Sequence, residues 1–166
     1  MPWPKQVLIL ALMLPLPGAR SAAQASRQDL SALAREVFVA MDARDLARTG
    51  ALLEDSFRLH YQGVPDPIAK ASLLELLRSY YVAFPDMRHE VLEVLPSGNY
   101  VTVRLVLHAT HRGAYEGVPA TGRAVTVPAI HILRFAGGRI AEWWAAEDDL
   151  GLLRQIGMII KPPGAP

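Results

Sequence analysis

Apolar positions along this chain fall first at helical spacing and then at alternating spacing. Leu30, Leu33, Ala34, Val37, Phe38 and Met41 recur three and four residues apart, which predicts an amphipathic helix over residues 27–43. Ser26 and Asp29 give it a capping-box-like start. Asp45 is placed to cap a short second helix running through Leu53, and Phe57–Tyr61 alternates like a strand. Asp66 and Pro67 suit the cap and first turn of a third helix, lined by Ile68, Ala71, Leu74, Leu77, Tyr81 and Phe84 and stopped by Pro85.

From Met87 the period changes to two. Met87–Leu95, Tyr100–Arg112, Arg123–Phe135 and Arg139–Glu147 read as antiparallel strands, and residues 149–157 as a final short helix. Helices first and strands after is α+β order. A twisted sheet of four or five strands must bury one face, and the three early helices are there to cover it. The expected shape is a half-open cone with a pocket between sheet and helices.

The hairpin turning at Gly137-Gly138 admits two registers. A two-residue loop sets His131 opposite Trp144, on the face of Glu142 and Asp148. A three-residue loop with a bulge sets it opposite Trp143, on the face of Ala145 and Glu147. A slip of one residue exchanges the whole lining set.

Composition changes the picture at the N-terminus. Lys5 precedes the apolar run Val7 to Leu14, then Pro15, Pro17 and Gly18 break it, and Ala23 and Ala25 sit in an A-x-A pattern. That order predicts a secretory signal cut after Ala25, with a periplasmic or secreted product, a folded domain over 26–160 and a flexible tail over 161–166. The apolar run is far short of the ~20 residues that span a bilayer. Removing residues 1–25 takes Lys5 and Arg20 from 17 basic residues, leaving 15 against 16 acidic ones. No basic field remains to attract nucleic acid or an anionic membrane. The chain has no cysteine, so disulfides and cysteine zinc sites are excluded.

No P-loop, G-x-G-x-x-G, G-x-S-x-G elbow or helical His-x-x-x-His is present, and no metal or cofactor is expected. What remains is acid–base chemistry in an apolar pocket. His131 is the leading candidate, because it shares a strand face with Val127, Ala129, Leu133 and Phe135 and can titrate near neutral pH. A hydrogen-bonded core histidine is the competing reading. Asp148 and Asp149 fit helix capping, whereas Glu147 stays open as a proton carrier. Trp143 and Trp144 point to opposite faces, so at most one lines the pocket. His60, Tyr80 and Tyr81 are further lining candidates.

Several stretches together resemble the SnoaL-like polyketide cyclase, or ester cyclase, family of the NTF2-like superfamily. They are Ala83-Phe-Pro-Asp-Met87, Thr110-His-Arg-Gly113, Gly117-Val-Pro-Ala-Thr-Gly-Arg123, Gly138-Arg-Ile140 with Glu142, and Gly151-Leu-Leu-Arg-Gln-Ile-Gly157. The resemblance runs from about residue 28 to 159. It implies an α+β cone with an apolar cavity and intramolecular aldol chemistry on a polyketide ester, without metal or cofactor. It places the family's cavity histidine at His131 and its acid–base aspartate at Ala145, which implies the bulged register. Ala145 has no proton to give, and Glu147 lies one pleat further along the same face.

Two readings follow. One is an exported acid–base enzyme of the cyclase or isomerase kind acting on a small hydrophobic carbonyl compound. It would use His131 and Glu147 as catalytic groups, with His60, Tyr81, Ala129, Trp143 and Ala145 against the substrate. The other is a non-catalytic binding protein using the same cavity. A homo-oligomer formed through the outer sheet face is compatible with both.

Overall fold

A computed structural model describes residues 22–158, with side chains from Asp29 onward. The expected signal segment lies outside the described residues except for 22–25, which begin the first helix, and the tail 161–166 lies outside them too. The elements are α1 (Ala22–Asp42), α2 (Leu46–Ala51), β1 (Leu53–Tyr61), β2 (Ile68–Ala69), α3 (Lys70–Ala83), β3 (Arg88–Ser97), β4 (Tyr100–Thr110), β5 (Ala124–Ala136), β6 (Arg139–Glu147) and α4 (Asp149–Ile156).

The architecture is α+β, as the hydrophobic pattern predicts. N-terminal helices pack on one face of a curved sheet ordered β2-β1-β6-β5-β4-β3. The sheet has six strands rather than four or five and is mixed rather than wholly antiparallel. β1 comes before the crossover through α3, so when β6 completes the meander it lies parallel to β1. β2 arises because the backbone of Ile68 and Ala69 pairs with Leu59 and Arg58 before the helix starts. Helix α3 therefore begins at Lys70 instead of Asp66, with Ala69 at its N-cap and no side-chain cap. Its inward face is also rotated from the expected one: Leu73 and Leu77 are buried while Ala71 is exposed.

Alternation does the packing. On β5, Val125, Val127, Ala129, His131, Leu133 and Phe135 are all buried, and every residue between them except Arg134 is exposed. On β4, Val101, Val103, Leu105 and Ala109 continue the same face. Two apolar clusters result. One joins α1, α3 and the sheet centre through Phe38, Phe57 and Leu133. The other gathers Phe84, Met87, Val125, Val127, Leu152 and Ile156 beneath α4. Asp148 caps α4 by accepting from Gly151 N–H at 2.9 Å, the role its position suggests.

Candidate active site

The geometry of the β5–β6 hairpin decides which side chains meet. Gly137 and Gly138 both have positive φ (56° and 79°), the requirement of a tight two-residue turn, and Ala136 pairs with Arg139 across it. Phe135 then pairs with Ile140, but Arg134 pairs with Glu142, leaving Ala141 as an extra residue on β6. This bulge explains why Ile140 and Ala141 are buried side by side in an otherwise alternating strand. Beyond it, His131 lies directly opposite Ala145. Neither expected register is correct in detail. The face that includes Trp143, Ala145 and Glu147 is the one implied by the family resemblance, but the bulge sits in the strand rather than in the turn.

His131 is 3% exposed. Its Nε2 is 3.0 Å from Glu147 Oε1, and its Nδ1 is buried with no hydrogen-bond partner. The ring packs against Phe38 (centroids 5.7 Å apart) and Trp143 (5.4 Å). Trp143 Nε1, a pure donor, is buried and unpartnered as well. Burial opposes ionisation of Glu147. The hydrogen bond and charge of His131, with help from His89 and Tyr61, outweigh it and hold the carboxyl below its usual pKa. Glu147 is therefore an acceptor that orients the imidazole.

His131, Trp143, Ala145 and Glu147 line one pocket together with Met41, Leu59, Tyr61, Leu73, Tyr80, Met87, His89 and Leu107. These residues come from both apolar clusters, so the pocket lies where the clusters meet. Its volume is about 60 Å³, room for a few water-sized groups. Tyr61 donates to Asp149 Oδ1 at 2.8 Å, and Tyr80 and Tyr115 share a 3.0 Å hydrogen bond. Burial first, then neighbouring acidic groups, push the Tyr61 hydroxyl far above its usual range, so it remains a neutral donor. Burial likewise raises the Asp149 carboxyl.

Three expected lining residues are elsewhere. His60 is on the outer sheet face, stacked on Trp144 at 5.0 Å, with Nε2 3.5 Å from Glu142. Tyr81 turns away from the pocket and donates to the Met41 carbonyl at 2.9 Å. Ala129 is buried on the His131 face within the apolar core and does not line this pocket. Tyr80, a lining candidate from the sequence, does line the pocket, and the structure adds Tyr61 and His89. Alternation of His89 with Val91 was the available signal for the last. Among the described residues, no three His, Cys, Asp or Glu side chains converge to hold a metal ion.

The family model described as SnoaL-like polyketide cyclase matches residues 30–156. Aklanonic acid methyl ester cyclase DnrD of Streptomyces peucetius is 37% identical over 76 residues, covering 45% of this chain and 52% of that one. Nogalonic acid methyl ester cyclase of Streptomyces nogalater is 31% identical over 91 residues, covering 55% and 66%. The matched stretch thus spans between about half and two thirds of these curated relatives. Among solved structures, IdmH of Streptomyces antibioticus, a proposed polyketide cyclase, superposes with a TM-score of 0.72 at 26% identity, covering 77% of this chain and 98% of that one. AclR of Streptomyces galilaeus, a proposed hydroxylase, gives 0.74 at 25%, covering 83% and 91%.

Proposed function

This chain belongs to the SnoaL-like polyketide cyclase family, and from that premise we propose that it is an exported pocket protein that binds a small apolar carbonyl compound and activates it by acid–base chemistry. The observation that carries this reading is the His131–Glu147 pair, 3.0 Å apart at the wall of an apolar pocket. Glu147 fixes the ring through Nε2, and the free Nδ1, once protonated, donates to the carbonyl oxygen. The Trp143 N–H is a second unpartnered donor on the same wall. Tyr61 and Tyr80, both kept neutral, complete a pocket whose polar groups are few and whose walls are apolar.

Polarising the carbonyl acidifies its α-carbon, the common first step of aldol, cyclisation and isomerisation chemistry. The two curated relatives are named as aklanonic and nogalonic acid methyl ester cyclases, and the substrate class proposed here is theirs in chemistry but smaller. A volume of about 60 Å³ is well below the ~300 Å³ at which drug-sized ligands are held. Incubation with cyclopentanone in D2O, followed by proton NMR, tests the reading. The wild type should exchange the α-protons, and His131→Gln should abolish the effect. Exchange no faster than in buffer would overturn it.

Ala145 supports a second reading, a binding protein without catalysis, since the position opposite His131 has no acid. Mass spectrometry of a compound co-purifying with the protein, unchanged after long incubation, would favour it. For the outer face we propose a second copy of the chain as occupant. Ile130, Ile132 and Tyr100 are 51%, 39% and 41% exposed beside Trp144 on neighbouring strands, and one such patch per copy suits an isologous contact. Export rests on the N-terminal pattern alone, and the N-terminal residue of the periplasmic product should be Ser26.

A further inference from the structure

Phe38 has a histidine against each of two sides of its contact surface. One is His131; the other is His89, on β3, whose ring centroid is 5.2 Å from that of Phe38. The His89 side chain is 3% exposed and lines the same pocket, from a strand two places along the sheet from β5. Its ring is not free to turn. Nδ1 is 2.6 Å from Asp42 Oδ1, and the His89 backbone N–H donates to both oxygens of that carboxylate at 3.1 and 3.0 Å. Asp42 is the last residue of α1, so the helix end and the strand are clamped through this one side chain.

An ionised carboxylate only accepts, so in the neutral imidazole Nδ1 carries the proton and Nε2 keeps a lone pair. Among the described residues no hydrogen bond reaches Nε2. His131 is arranged the opposite way round, with Nε2 on Glu147 and Nδ1 unengaged. Two imidazoles thus line one apolar pocket, each held at one nitrogen by a carboxylate and each with the other nitrogen unused. Packing alone does not call for the bare Nδ1 of His131, because buried polar atoms are ordinarily paired.

We propose that His89, oriented by Asp42, is the general base of this pocket and performs the proton transfer that Ala145 cannot. The inference rests on the reading of His131 as the group that polarises the carbonyl. His89 Nε2 takes a proton from the α-carbon, and the C–H bond breaks. Its electron pair forms the C=C bond of the enol as the carbonyl π pair moves onto oxygen. The oxygen takes its proton from His131 Nδ1–H. The proton on His89 Nε2 exchanges with solvent, and return of a deuteron from His89 to carbon, with His131 recovering its own proton, restores the ketone, so in D2O the α-position gains deuterium. No oxidant, reductant or co-reactant enters. The Asp42 carboxylate bonds His89 and does not line the pocket, so Asp42 is a positioning residue.

The test uses the full-length protein and cyclopentanone in D2O. His89→Gln should slow α-exchange at least ~100-fold, the usual scale of general-base catalysis, while the bound ketone's carbonyl infrared band keeps its wild-type position. His89→Ala should lose the same activity and regain it on addition of imidazole, which a purely structural loss would not allow. Asp42→Asn should lower the maximal exchange rate with little change in the ketone concentration giving half of it. His108→Gln, on β4 with its Nε2 bonded to Glu90, should behave as wild type. Wild-type exchange by His89→Gln overturns the inference and leaves the role of His131 standing. Absence of exchange by the wild type overturns both.

Discussion

Phe38→Ala is the perturbation that most directly links packing to the site. Phe38 is 1% exposed, and its ring touches His89, His131 and Trp143 at centroid distances of 5.2, 5.7 and 5.5 Å. Truncating a buried Phe to Ala costs ~3–5 kcal/mol, aromatic contacts included. The expected loss is in the lower half of that range, because the hole opens onto a pocket that already exists. Water entering there can hydrogen-bond His131 Nδ1, which has no partner in the folded protein. With a urea m-value of about 2 kcal/mol/M, a loss of ~3–4 kcal/mol moves the unfolding midpoint down by roughly 1.5–2 M. Urea unfolding followed by circular dichroism measures it. Ketone exchange should fall with it even at full folding, since both histidines lose their shared wall. Phe38→Leu, which keeps most of the volume, should recover much of the stability and less of the exchange. A midpoint shift below ~0.5 M for the alanine variant refutes the claim that Phe38 is the packed centre of the site.

Further outcomes follow from individual contacts. A Cβ on Gly113 would lie 2.4 Å from the Val82 carbonyl oxygen, and Arg112 N–H and Gly113 N–H both donate to Ala83 O; Gly113→Ala should lower the thermal midpoint by several degrees, an overpacking cost of ~1–3 kcal/mol. Glu147 has a folded-state pKa below 4.5, so its contribution is present above that value and is lost as pH falls through the lowered one. Glu147→Gln should therefore flatten the acid limb of stability below about pH 4.5, measured by urea midpoints across pH. Ile130→Lys on the outer face should shift the light-scattering mass toward a monomer while leaving ketone exchange in place.

The sequence made the helices and strands legible because their burial is one-sided. Residues such as Val127, Leu133 and Phe135 keep period two over thirteen residues of β5. It could not show β2, since two residues pairing across Leu59 and Arg58 leave no periodic trace. Nor could it place the bulge at Ala141, where a small apolar residue fits inside or outside alike. The face of His131 was readable by parity; its direct neighbour was not. His60 and Tyr81 show the limit of strand and helix periodicity for amphipathic rings, which satisfy alternation as well on an outer face or a helix flank as in a pocket. Asp42 gave no signal at all, because its partner is 47 residues away along the chain.

His131, held by Glu147, is proposed to polarise a carbonyl in this pocket. Difference infrared spectroscopy of carbonyl-labelled cyclopentanone bound to the protein addresses it without waiting for turnover. The bound ketone should show a carbonyl band shifted to lower frequency than in an apolar solvent, with the shift largely lost in His131→Gln and reduced in Glu147→Gln. A bound ketone whose band matches that in hydrocarbon, or whose shift survives His131→Gln unchanged, contradicts it.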